Sequence, residues 1–414
     1  MGDAHVFWDA ACFNMDTAAF TRKFMRDVRD AQRDDGSFPD IAPNNDREHF
    51  TPPGSSPGWG DAGVFLPWTS WRRYGDTSVI DEHWSAMERF LASIHTANPD
   101  LLWKNGRGND FGDWLALDAK EPGDPTTPKD LIGTAFWKAC ADAMVDMAQA
   151  TGRGEAVERY RTLSGAITQA FAKAYVQSDG RIGNGSQTGY ILALHFDLLP
   201  TGQRKAVADL LVADIARRGT LLSTGFLGTP YSLDVLADAG HGTLVYDLLL
   251  RTAYPSWGYM IAKNATTIWE RWNGDTGDLS MNSYNHYALG AVAGFMFRRL
   301  AGIDPVEPGF ARFRFDPVYD ARMPSGGARY QSRAGLIATD WKRGGDGGFT
   351  LDITIPANTQ GRLHLPARNL AQVSEGGRPV AGRPEMKPVA GEGKVVLEVG
   401  SGVYRFRVSG ADFS

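Results

Sequence analysis

The chain has 414 residues, with 43 Lys and Arg against 48 Asp and Glu and a formal net charge of -5, the two signs interspersed. That balance excludes the basic stripe of a nucleic-acid binder; no apolar run is long enough to span a bilayer, and no charged-then-apolar leader opens the sequence. The length suggests two or three domains, and Cys12 and Cys140, both in apolar helical tracts, read as buried free thiols of a reducing, cytoplasmic compartment.

Ala4 to Arg33 carries one helical stripe through Phe7, Ala11, Met15, Ala18, Phe20, Phe24 and Val28, and stops at Asp35-Gly36. Asp40 to Gly58 is a Pro-, Asn-, Ser- and Gly-rich loop. Helical tracts follow at Asp61–Tyr74 and Ser78–Thr96, then a long loop from Asn98 to Lys129 carrying Trp103 and Trp114. Further tracts are predicted at Asp130–Ala150, Glu155–Val176, Thr188–Phe196, Gly202–Arg217, Tyr231–Ala239 and His241–Arg251. Ser256 to His286 lacks the helical rhythm and reads as a loop before a last helix at Tyr287–Leu300. Ten helical tracts joined alternately by short turns and long loops predict antiparallel hairpins with the long loops at one end.

The composition changes at Gly302-Ile303-Asp304-Pro305, which divides the chain into a helical domain, 1–302, and a β domain, 303–414. Period-two runs at Phe313–Phe315, Phe349–Ile355, Arg362–Leu365, Lys394–Val399 and Tyr404–Val408 predict a small antiparallel β-sandwich. This tail offers no chemical motif and reads as a lid or structural partner of the helical domain.

The chemistry is placed in the Ser256–His286 loop, where Glu270 stands between Trp269 and Trp272. Sugar faces stack on rings while a carboxylate moves protons, so this pattern suits a carbohydrate site; a structural Glu paired with Arg271 is the other reading. Gly2-Asp3, Gly60-Asp61 and Gly112-Asp113 place aspartates near helix starts or in loops. Helix capping is the first reading for such an Asp, and ionised capping carboxylates suit sugar hydroxyls better than acid catalysis. His286, at the entry to the last helix, is read either as a cap or as a ligand contact. The other histidines lack metal-ligand spacing, and neither a Walker loop nor a nucleophile elbow is present, so no metal and no cofactor are expected.

Taken in order, these motifs resemble the family 78 glycoside hydrolases, the α-L-rhamnosidases. The resemblance is carried by Gly2-Asp3-Ala4, Ala11–Asp16, Gln32–Asp40, Trp59-Gly-Asp-Ala62, Gly112-Asp-Trp114, Gln187–Tyr190 with Leu194–Pro200, Gly225–Pro230, Thr266–Trp272 and Ser280–His286. It covers nearly the whole chain. It implies a mainly α fold, an (α/α)6 barrel followed by a β-sandwich, and inverting hydrolysis of terminal α-L-rhamnosides. By the same resemblance Glu270 is the general base. Asp3, Trp59, Trp114 and His286 line the rhamnose pocket, with Asp61, Asp113 and Trp272 as further candidates.

One departure matters. In the family the Gly-Asp pair closes a longer motif, Asp-Glu-Arg and then Gly-Trp-Thr-Gly-Asp, whose Glu is the general acid; here Met1-Gly2-Asp3 leaves that Glu without a counterpart. Ten tracts where six hairpins need twelve point the same way. The expectation is therefore an N-terminally shortened chain with an incomplete barrel, and Asp110 or Asp113 as fallback proton donors. Two alternatives stand beside this reading: another glycosidase on a helical toroid, and a non-catalytic rhamnose-binding remnant.

Overall fold

The computed structural model describes residues 1–43, 52–276, 283–345, 347–391 and 393–413. They form two compact units: Met1–Ala11, Asp16–Thr69 and Thr77–Val292 make the first, and Cys12–Met15, Ser70–Asp76 and Ala293–Ser414 the second.

The helices in chain order are α1 (Gly2–Asn14), α2 (Ala18–Asp30), α3 (Ala62–Tyr74), α4 (Ser78–Ala97), α5 (Lys129–Ala150), α6 (Gly154–Tyr175) and α7 (Gln187–His195). They are followed by α8 (Arg204–Arg217), α9 (Thr229–Asp238), α10 (Gly242–Leu250), α11 (Trp257–Ala262), α12 (Tyr287–Gly290) and α13 (Val292–Phe295). Burial alternates along this series. α5 is buried at most positions from Leu131 to Ala148, and every residue of α7 from Gln187 to Leu194 is buried. α2 buries only Thr21, Met25 and Val28, and α8 only Val207, Ala208, Leu211 and Ile215. A helix apolar all round must be enclosed, whereas one with a single apolar stripe lies outside it. The packing agrees: α5 lies along α6 and also meets α7, and α7 meets both α8 and α9. Each hairpin thus sits beside the next, with one inner and one outer helix. Every Leu, Ile or Phe fully enclosed this way contributes roughly 1.5–3 kcal/mol.

The helical reading holds with two corrections. The predicted tract from Ala4 to Arg33 is two helices, because Asp16 Oδ1 accepts the Ala18 N–H at 3.0 Å and starts a new one. The apolar rhythm ran on across that break, and Met15 and Phe20, assigned to one stripe, are 60% and 58% exposed. The Ser256–His286 stretch contains α11, capped by Ser256, whose hydroxyl accepts the Tyr259 N–H at 2.9 Å. Part of that stretch, 277–282, and part of the Asp40–Gly58 loop, 44–51, lie outside the described residues.

In the second unit, strands β1 (Asp304–Pro305), β2 (Arg312–Phe315), β6 (Gln360–Leu365), β10 (Val395–Val399) and β9 (Met386–Val389) form one sheet in the order β1-β2-β6-β10-β9. The other runs β3 (Ser325–Ser332), β4 (Gly335–Arg343), β5 (Phe349–Ile355), β11 (Gly402–Val408), β7 (Val373–Glu375) and β8 (Arg378–Pro379). Strict alternation in β5, with Phe349, Leu351, Ile353 and Ile355 all buried, shows why period two marked this strand. All pairs are antiparallel except β2 with β6, which is parallel, a departure from the expected all-antiparallel arrangement. The core gathers Phe13, Phe310, Phe313, Phe315, Trp341 and Leu363. Trp341 Nε1 donates to Leu300 O at 2.8 Å, which satisfies the one polar atom of a fully buried indole.

Candidate active site

The loop that carries Glu270 is folded back on itself. Glu270 N–H donates to Ser283 O at 2.9 Å, and His286 N–H donates to Ile268 O at 2.8 Å. The same turn orients the acid, since Ser283 N–H donates to Glu270 Oε2 at 2.9 Å. The other oxygen, Oε1, lies 3.8 Å from His286 Nε2, and that nitrogen is 3.2 Å from Asp3 Oδ1. One imidazole therefore stands between two carboxylates, with only 11% of the His286 side chain and 15% of the Glu270 side chain exposed.

The cap reading of His286 is seen directly. It is the N-cap of α12, and its Nδ1 accepts the Ala288 N–H at 3.3 Å. A neutral imidazole that accepts at Nδ1 carries its proton on Nε2, so the cap aims the N–H at the carboxylates.

Aromatic residues continue this cluster. Gly2, beside Asp3, lies on the Trp59 indole so closely that a Cβ there would come within 2.5 Å of the ring. Trp59 packs on Phe111 at 4.7 Å between centroids, and Phe111 meets Trp114 edge-on at 5.6 Å. Trp59 and Trp114 stay partly exposed. The Phe226 N–H donates to Trp114 O at 2.9 Å, and the Phe226 ring lies 5.0 Å from that of His286. Of the predicted site residues, Asp3, Trp59, Trp114, Glu270 and His286 are thus joined by direct contacts or through one intervening residue. Residues 280–282 of the Ser280–His286 motif lie outside the described residues.

The other predicted site residues are placed differently. Asp61 is fully buried: it accepts Gly58 N–H at 2.6 Å and the Cys140 thiol at 3.2 Å, and burial pushes its pKa up to about 6. Gly58 precedes it in the chain and Cys140 lies across on α5, a different arrangement from the ionised helix cap expected. Asp113 is also buried, which raises its pKa, and its two oxygens take four donors: the Thr188 hydroxyl and the N–H groups of Gly225, Leu227 and Gly228. Trp272 is buried edge-on against Trp257 at 5.1 Å, and Trp269 edge-on against Tyr284 at 5.9 Å. Both indoles near Glu270 in sequence are buried against other rings, whereas Trp59, Phe111 and Trp114 are the partly exposed rings of the cluster. Asp110, a fallback donor, pairs with Arg107 at 2.7 Å and keeps a buried Oδ1 with no hydrogen-bond partner among the described residues; burial raises its pKa.

Phe111, Phe226 and Ser283 were not singled out from the sequence. Phe226 lies in the Gly225–Pro230 motif, but an apolar residue beside a Leu carries no signal of facing an imidazole. The cavity of about 550 Å³ lined by Gly36, Phe90 and Trp103, and the groove between α4 and α6 along Leu91, His95 and Tyr160, share no residue with the cluster.

Comparison with known proteins gives the family. The bacterial alpha-L-rhamnosidase 6 hairpin glycosidase domain matches residues 1–300, and the bacterial alpha-L-rhamnosidase C-terminal domain matches residues 302–378. An alpha-L-rhamnosidase of Streptomyces avermitilis is 37% identical over 412 residues, covering 98% of this chain and 38% of that protein. One from Formosa agariphila is 33% identical over 378 residues, covering 89% of this chain and 40% of the relative. The crystal structure of the S. avermitilis α-L-rhamnosidase complexed with L-rhamnose superposes with a TM-score of 0.89 at 38% identity, covering 99% of this chain and 38% of that one. The α-L-rhamnosidase from Dictyoglumus thermophilum gives 0.90 at 30% identity, covering 99% of this chain and 45% of that one. The chain spans about two fifths of the length of the curated relatives it matches.

Proposed function

The chain belongs to the bacterial α-L-rhamnosidase family, and from that premise we propose that it binds a terminal α-L-rhamnosyl group and hydrolyses it with inversion. The sugar sits between the Asp3–His286–Glu270 cluster and the Trp59–Phe111–Trp114 wall. The observation that carries this reading is the single imidazole shared by Asp3 and Glu270 beside an indole strip. The rings cover the apolar C–H face of the deoxysugar, and Asp3 and the His286 Nε2–H meet its hydroxyls.

Glu270 acts as the general base. Ser283 N–H holds Oε2, which leaves Oε1 to accept a proton from water while the water oxygen bonds to the anomeric carbon. The bond from that carbon to the leaving oxygen breaks on the opposite face, so configuration inverts. The leaving oxygen needs a proton from a general acid. Aryl rhamnosides, whose leaving groups need little protonation, isolate the contribution of Glu270.

The test is Glu270→Gln assayed on 4-nitrophenyl α-L-rhamnoside, with L-rhamnose binding followed by calorimetry and the first-formed anomer by NMR. Binding kept, turnover lost and β-L-rhamnose formed first by the parent are expected. Undiminished turnover in the variant removes Glu270 from the mechanism.

A further inference from the structure

We propose that Asp113 is a positioning residue, whose buried carboxylate holds the Gly225–Gly228 loop and so fixes Phe226 and His286 relative to Trp114. The proposal rests on the rhamnose-binding reading above. Asp113 and Trp114 are adjacent, so the carboxylate and the aromatic wall share one rigid stretch of backbone. From that stretch Asp113 Oδ2 accepts Gly225 N–H at 2.8 Å together with the Thr188 hydroxyl, and Oδ1 accepts Leu227 N–H at 2.8 Å and Gly228 N–H at 3.1 Å. The remaining N–H of the loop, that of Phe226, goes to Trp114 O at 2.9 Å. Every backbone donor from 225 to 228 is thus bound by the Asp113-Trp114 pair.

Sterics reinforce the clasp. A Cβ on Gly225 would lie 2.3 Å from Trp114 O and 2.4 Å from Asp113 O, so the two segments touch backbone to backbone. Leu117 N–H donates to Ser223 O at 3.1 Å and extends the contact by one more bond. What the loop presents at its tip is the Phe226 ring against the His286 imidazole. A carboxylate with four donors has no capacity left for a sugar hydroxyl, so its effect on the ligand passes through the loop. Replacing one oxygen by an amide NH₂ sets a donor against the Gly225 N–H or the Leu227 and Gly228 N–H groups, which the loop can relieve only by moving.

The test compares the parent with Asp113→Asn, Phe226→Ala, the double variant and the milder Thr188→Val. L-Rhamnose affinity is read by calorimetry, and amide exchange and the His286 ring signals by NMR. Each single substitution at 113 or 226 is expected to weaken L-rhamnose binding about tenfold, and the pair together also about tenfold, because both act through one contact. Thr188→Val is expected to give a smaller loss in the same direction. Exchange at Gly225, Leu227 and Gly228 is expected to speed up at least tenfold in Asp113→Asn, with the His286 signals shifted and α5 and α7 still protected. Losses that multiply to about a hundredfold in the double variant, or affinity within twofold of the parent in Asp113→Asn, overturn the proposal. If the parent binds no L-rhamnose, the functional reading fails separately. In that case unchanged exchange at 225–228, or unmoved His286 signals, overturns the positioning role.

Discussion

His83 offers a stability measurement whose size can be worked out in advance. It lies in α4, is 1% exposed, and neither ring nitrogen has a hydrogen-bond partner among the described residues. Burial holds its pKa at about 4, with Arg29 and Arg26 of α2 acting in the same sense and the neighbouring Glu82 and Asp30 opposing. The unfolded imidazole takes up its proton as pH falls through 6.5, the folded one only near 4, so stability present above 6.5 is lost on acidification through that window. The whole difference corresponds to about 3 kcal/mol, of which about 2 kcal/mol falls between pH 7 and pH 5. Leu has a similar volume, no titration and no unpaired nitrogen. Urea unfolding of the parent and of His83→Leu at the two pH values gives four free energies, and the difference of differences cancels every other titrating group. The parent is expected to lose about 2 kcal/mol more than the variant. Equal losses in the two proteins would refute the argument, because they would mean that the folded state admits the proton as easily as water does.

Two further outcomes follow from the site. Gly2→Ala drives a methyl group into the Trp59 indole; L-rhamnose affinity is expected to fall at least tenfold while the melting temperature changes little, and calorimetry beside a thermal melt checks both. Asp61→Asn removes a carboxyl whose folded pKa is raised to about 6. Its raised value stabilises the parent fully below the unfolded pKa near 3.8, and this is lost as pH climbs through 6. The parent is therefore expected to lose about 1 kcal/mol more than the variant between pH 5 and pH 8, as read by denaturant midpoints.

Long periodic elements were legible in the sequence because one physical quantity, burial, repeats along them. α4, α5 and α6 and the alternating β5 and β11 follow this rule. β3 was not, since Ser325-Gly-Gly-Ala-Arg sits at a sheet edge with only Tyr330 and Ser332 of that strand buried; in β4, Leu336 and Ala338 beside the buried Ile337, Thr339 and Trp341 blur the alternation. At the site, Glu270 and His286 stood out as ionisable groups in an aromatic loop, and the structure sets them 3.8 Å apart. The indoles beside Glu270 did not show their direction, because adjacency in a loop fixes no side-chain orientation. Asp61 and Asp113 looked alike as Gly-Asp pairs. Only the fold shows that one meets a thiol on α5 and the other a loop more than a hundred residues away.

The 3.2 Å contact between Asp3 Oδ1 and His286 Nε2 joins the first turn of α1 to the N-cap of α12. Contacts of such sequence separation form late, after the local hairpins between them have already settled. Both segments must therefore have emerged before this contact can form. A nascent chain halted short of α12 would hold Asp3 without its imidazole.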